Sequence, residues 1–124
     1  MAKDRFPIKP ALYSLSSIYP PYHHIIVPAG GNAVIYDLRP EPYIAFIRYV
    51  ANSWYPHTYL EWRIDNELIE RIERQIGSAD NPHEFRPEYV VQNSCTVRVF
   101  NNDTVTHSFW IVMDGSILLI PENI

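Results

Sequence analysis

Proline is the residue that most restricts what this chain can become. Eleven prolines stand against four glycines in 124 residues. A proline inside a helix removes a backbone hydrogen bond and clashes with the preceding turn, so this balance points to strands joined by stiff loops. The opening stretch MAKDRFPIKPALYSLSSIYPPYHH carries prolines at 7, 10, 20 and 21. Each biases the residue before it toward extended backbone. Residues 1–22 are therefore expected to run as an extended, Pro-rich N-terminal arm. That arm holds Phe6, Ile8, Leu12, Tyr13, Leu15, Ile18 and Tyr19. So many apolar groups need a surface to pack on, either the chain's own body or a neighbouring subunit.

Residues 23–124 are expected to form a single domain. HIIV is stopped by PAGGN, AVIYDL follows, RPEP breaks the pattern, and YIAFIRYV reads as a strand. In YIAFIRYV, Ile44, Phe46 and the stem of Arg48 share one face, and Tyr43, Ala45, Ile47 and Tyr49 the other. Apolar residues on both faces suit a central strand of a sandwich. TYLEWRI alternates Leu60, Trp62 and Ile64 with Tyr59, Glu61 and Arg63, and Asp65-Asn66 reads as a turn.

ELIERIERQIG fits two periods. As a helix it stacks Leu68, Ile72 and Ile76, with Glu67–Arg71 and Glu70–Arg74 pairs. As a strand it alternates less cleanly, yet the strand signals on both sides favour extended structure or at most two helical turns. PEYVVQ, CTVRVF, VTHSFWIVM and SILLI follow. Asn93-Ser94, Asn101-Asn102-Asp103 and Asp114-Gly115 separate them, and the Asp-Gly pair reads as a hairpin turn. Seven to nine short strands with regular turn signals give an all-β fold, an antiparallel, jelly-roll-like β-sandwich.

The net charge of −4 leaves no general footprint for nucleic acid or a membrane surface. The charge is unevenly spread. Residues 1–30 hold Lys3, Arg5 and Lys9 against Asp4 alone, while the remainder holds seven bases against thirteen acids. A basic arm on an acidic body suits docking on an acidic neighbour, including a second copy. Cys95 is the single cysteine, so no internal disulfide forms. The opening residues lack the charged and apolar pattern of a signal peptide and no apolar run is long enough for a membrane span, so neither is expected. Synthesis in a cytoplasm is expected.

The run VRVFNNDTVTHSFWIV, residues 97–112, resembles the first-ligand strand of copper-binding cupredoxins, which would make His107 a metal ligand. The resemblance implies further ligands on one late loop, and only Met113 follows His107 there. A two-residue turn at Asn102-Asp103 would set Cys95 level with Trp110, away from His107, and one strand would hold Met113 about 20 Å from it. A satisfied strand-end histidine is the expected reading, with no metal and no cofactor. His23-His24 and His57 lack ligand spacing. Glu61, Asp65, Glu67, Glu70 and Glu73 alternate with arginines as a salt-bridged surface does. No catalytic motif is present, so no enzyme is expected.

Trp54, Tyr55, His57 and Tyr59 gather around Pro56. Exposed aromatics bury in subunit interfaces or stack on sugar rings. With Phe6, Ile8, Tyr13 and Tyr19, these four are the candidate interface residues.

The run WRIDNELIERIERQIGSADNPHEFRPEYVVQNSCTVRVFNNDTVTHSFWIVMDG resembles small β-sandwich virion proteins of bacterial viruses, over about residues 60–115. The likeness lies in the Asp-Asn turn, the NP…F.P.YVV approach and the closing N–D–H–F–DG segments. It implies an oligomeric capsid decoration or head-associated protein, located in the virion. Its partners would be further copies of itself, with threefold or other cyclic symmetry, and another capsid or virion protein. The competing expectations are a carbohydrate- or receptor-binding sandwich and a divergent cupredoxin-like metal protein.

Overall fold

The computed structural model describes residues 11–119. The strands are β1 (Ala11–Ser14), β2 (Tyr22–Val27), β3 (Asn32–Leu38), β4 (Ile44–Asn52), β5 (Thr58–Ile64), β6 (Glu67–Ile72), β7 (His83–Val91), β8 (Cys95–Asn101) and β9 (His107–Leu119). Among the described residues the only helical element is a 3-10 turn, Leu15–Ser17. No helix there is long and apolar enough to cross a membrane. The fold is all-β and antiparallel, the class that the excess of proline over glycine favours.

The pairings β5–β6, β4–β7, β3–β8 and β2–β9 trace one long two-stranded ribbon centred on the Asp65-Asn66 turn. Both turn residues have positive φ, 51° and 74°, which a two-residue hairpin turn demands and which Asp and Asn tolerate. The ribbon is rolled so that β9 meets β4 and β8 meets β5. The result is two sheets, β2–β9–β4–β7 and β3–β8–β5–β6, with β1 continuing the edge beside the C-terminal half of β9. Trp62, Leu60, Ile47, Phe109, Ile111, Met113 and Ile117 are among the fully buried side chains between the sheets. The segment Glu67–Ile72 is extended because Ile72 is needed in that core, which overrides its helical propensity.

Two sequence expectations are corrected. The pair β8–β9 is not a hairpin: the strands lie in different sheets, so Cys95 faces Met113 across the core, sulfur to sulfur 3.8 Å, rather than sitting level with Trp110. The chain changes sheets at Asn101, which is fully buried. Its side-chain amide donates to the carbonyls of Val27 (3.0 Å) and Val105 (3.0 Å), and its oxygen accepts from the Asp103 N–H (3.0 Å). These bonds tie the β2–β3 and β8–β9 corners together.

Asp114-Gly115 is likewise not a turn, because β9 runs straight through it. Its partner β4 carries Arg48 as an extra residue at that point, since Ile47 pairs with Gly115 and Tyr49 with Asp114. The bulge presses the Phe46 carbonyl onto Gly115, where a β-carbon would overlap that oxygen and lie 3.0 Å from the Arg48 nitrogen. A glycine inside a strand commonly marks such a close approach.

Residues 11–21 belong to the sandwich in part. β1 pairs with β9, and Leu15 is 1% exposed in the core. Phe6, Ile8 and the rest of the arm before Ala11 lie outside the described residues.

Gly115→Ala is expected to destabilise the fold by about 2–4 kcal/mol, because backbone rather than a side chain must yield. Urea denaturation measures it, and a loss under about 0.5 kcal/mol, the range of an ordinary surface change, would show that β4 does not approach β9 so closely.

Candidate interaction surface

A sandwich strand normally turns polar residues outward, and the outer faces of these two sheets differ in this respect. On the sheet β3–β8–β5–β6 the register sets Val34, Arg98, Glu61 and Arg71 in one row, and Asp37, Thr96, Arg63 and Leu68 in another. Ion pairs lace this face and its margins: Arg39–Asp37 at 2.8 Å, Arg63–Glu61 at 3.6 Å, Arg71–Glu73 at 3.0 Å, and Arg74 with Glu70. It is a solvated face.

The outer face of β2–β9–β4–β7, extended by β1, exposes more large apolar side chains. Leu12, Leu118 and Ile44 form one row across β1, β9 and β4. Phe46 and Val90 are paired in the next. Tyr22 lies against Val112, with its ring 6.3 Å from that of Trp110 and nearly parallel, and Ile26 lies opposite Ser108. Leu12 is 64% exposed, Ile26 63%, Tyr22 53% and Val90 48%. Charge enters this face mainly through the row Asp114–Tyr49–Glu84, where Arg48 holds Glu84 at 2.9 Å. The exposed apolar side chains fall in two groups, Leu12 and Val90 toward the Leu118 end of β9 and Tyr22 and Ile26 toward the His107 end, with that charged row between them; exposed apolar groups of this size are candidates for an interaction surface.

The aromatic group expected at residues 54–59 is split by the fold. Trp54, His57 and Tyr59 line one cleft of about 330 Å³ with Arg71 and Glu73. His57 is held at φ 66°, and the Trp54 indole donates to the Thr58 carbonyl at 2.9 Å. Tyr59 has both ring faces occupied. Phe100 stacks on it at 4.7 Å, and the Arg71 guanidinium lies 3.8 Å from its centroid. That leaves no open face for a sugar ring. Tyr55 turns the other way, stacks on His107 at 4.1 Å and donates its hydroxyl to the Ser108 carbonyl at 2.7 Å. Tyr13 is exposed on the edge strand β1. Tyr19 packs partly against the core, its hydroxyl 3.4 Å from the Arg39 carbonyl.

His107 is engaged on both sides. Its Nε2 lies 2.8 Å from Asp103 Oδ2, and Tyr55 covers its ring. The His107 hydrogen bond, with the Thr104 N–H, holds the Asp103 carboxyl below the usual range. Cys95, at the start of β8, packs against Met113, which lies six residues along β9 from His107. Burial pushes its thiol up to about 12, even though the Trp62 indole hydrogen bond at 3.3 Å works the other way. A protonated buried thiol is a core group, not a metal ligand. Among the described residues no three His, Cys, Asp or Glu side chains converge on a metal-sized space.

Tyr22, Ile26, Phe46, Val90 and Trp110 were not singled out from the sequence, although YIAFIRYV, apolar on both faces, carried the signal. No protein-family model matches this chain, and no curated protein matches it.

The opposite end of the sandwich holds a polar anchor. Asp65 accepts from the backbone N–H groups of Asn93 (2.6 Å), Ser94 (3.0 Å) and Gln92 (3.2 Å). Partial desolvation pushes its carboxyl up, but the three donors outweigh that and hold it below the ordinary aspartate range. A depressed folded pKa gives stability that is present above the unfolded value, near 3.9, and is lost as the pH falls through the folded value. Asp65→Asn is therefore expected to lower stability at pH 7 and to flatten the loss of stability below about pH 4. Urea midpoints across the acid range test this, and an unchanged acid limb would remove Asp65 from the account.

Proposed function

We propose that this protein is a non-enzymatic structural subunit of a virus particle, an oligomeric capsid-decoration or head-associated component of a bacterial virus. The observation that carries the reading is the apolar outer face of β1/β2–β9–β4–β7, set against a salt-bridged outer face on the other sheet. Covering it with a second copy or another virion protein removes Leu12, Tyr22, Ile26 and Val90 from water at roughly 1.5–3 kcal/mol for each fully buried large side chain. The strand order supports the reading. A two-stranded ribbon rolled into two four-stranded sheets is a jelly roll, an architecture shared by viral capsid domains, lectins and cupins. That likeness is one of fold, and fold alone does not choose among those roles. The apolar face favours assembly, and Tyr59, enclosed between Phe100 and Arg71, offers nothing to the carbohydrate alternative.

The charge-free rows around Tyr22 and Ile26 give the test. Tyr22→Glu with Ile26→Glu is expected to weaken self-association at least tenfold, about 1.4 kcal/mol, with the fold intact, because both side chains project to solvent in the isolated subunit. Val34→Glu, on the polar sheet, is expected to assemble like the parent. Light scattering coupled to gel filtration reads both. A parent that stays monomeric, or a Val34 variant as impaired as the double variant, contradicts the assembly reading. The virion assignment has its own check, since gradient-purified particles are expected to contain the chain in many stoichiometric copies.

A further inference from the structure

We infer that β2 is the edge through which a second copy of this chain binds, the two β2 strands pairing antiparallel about a twofold axis at His24. This rests on the assembly reading above and names the partner and the geometry of its contact.

An edge strand carries a row of unpaired backbone groups, and natural sheets guard such edges with bulges, charges, proline or short length. Among the described residues the other edges are guarded in these ways. β1 is four residues long. β3 is bulged between Val34 and Tyr36 and carries Asp37. β6 is bulged where Trp62 and Arg63 pair with Glu70 and Leu68, and it carries Glu67, Glu70 and Arg71. β7 contains Pro87 with Glu84, Arg86 and Glu88, and its register with β4 is broken. β2 has none of these devices. Its residues Tyr22–Val27 run in unbroken register with β9 and include no proline, Asp, Glu, Lys or Arg.

The hydrogen bonds show which backbone groups β2 leaves open. The Met113 N–H donates to the Pro21 carbonyl at 2.9 Å, so Pro21 turns that carbonyl toward β9. Successive residues of a strand turn their N–H and C=O groups to opposite sides. His23, Ile25 and Val27 therefore bond to β9, and Tyr22, His24 and Ile26 turn their backbone groups away from it. Among the described residues nothing pairs with that side. The same three side chains are exposed on the outer face.

This arrangement selects one register. With His24 opposite His24 of the second copy, Tyr22 lies opposite Ile26 and Ile26 opposite Tyr22. Every outward N–H and C=O of the three residues is then bonded. In a register shifted toward either end, one of the three meets Pro20 or Pro28, which has no N–H. These prolines stand four residues on either side of His24 and close the run at both ends. Their carbonyls are already engaged, by His23 Nε2 at 2.8 Å and by the Gly31 N–H at 2.9 Å. The contact is isologous, so it closes at two copies. It also joins the two outer faces, setting Tyr22 of one copy beside Ile26 of the other.

Opposite charges at His24 test this, because like charges directly opposite one another in a sheet repel. His24→Lys and His24→Glu, each alone, are expected to raise the dimer dissociation constant about tenfold or more. Mixed in equal amounts, they are expected to form a one-to-one heterodimer about as tightly as the parent pairs with itself. Native mass spectrometry with one variant isotopically labelled reads all three states. Circular dichroism checks the fold, which an exposed edge side chain leaves unchanged.

His24 variants that associate like the parent overturn the inference, and the assembly reading stands if Tyr22→Glu with Ile26→Glu is still impaired. Weakened variants that fail to rescue each other also overturn it, because His24 would then not face its own counterpart. A parent that is monomeric at every concentration removes both.

Discussion

Strand β9 runs unbroken through thirteen residues, His107–Leu119, and the rest of the fold depends on its staying so. β1 and β2 line one side of it and β4 the other. The pairing survives the Arg48 bulge because Gly115 has no side chain where the Phe46 carbonyl comes through. A turn at Asp114-Gly115 would end the strand at Met113. β1 would then lose its only partner, and Ile117, fully buried in the core, would have no place there. One missing methyl group therefore allows β4 and β9 to pair from Ile44 to Asn52 within a single sheet.

That face and its opposite give the molecule two different relations to water. The β3–β8–β5–β6 sheet spends its outward positions on arginines and acids that satisfy one another. The β1/β2–β9–β4–β7 sheet spends more of its own on leucine, isoleucine, phenylalanine, tyrosine and tryptophan, with His24, Ser108, Ser116, Asp114 and Glu84 among them. Weak surface ion pairs add little stability, so the polar sheet is best understood as a boundary with solvent. The apolar sheet keeps Leu12, Tyr22, Ile26 and Val90 in contact with water.

The fold class was legible because strand periodicity and proline placement are local signals. TYLEWRI and CTVRVF alternate cleanly, and their alternating residues do face the core and solvent as expected. Two joints were misread. Asn101-Asn102-Asp103 and Asp114-Gly115 both carry turn chemistry, but what happens there is set by partners distant in sequence: Val27 for the first, Phe46 and Arg48 for the second. The interaction face was half legible. Ile44 and Phe46 opposite Ala45 and Ile47 showed a strand apolar on both sides, but which side faces the core is decided by the sheet opposite. The residues around Trp54 attracted notice by their chemistry, and their packing then divided them between a cleft and the His107 stack.

Sedimentation velocity across a range of protein concentrations tests the central claim most directly. A closed oligomer of a defined multiple of the 14.5 kDa subunit, dissociating only on dilution, is the expected result. A single species at the subunit mass at every concentration would mean that the apolar sheet face needs no neighbour, and would contradict the account.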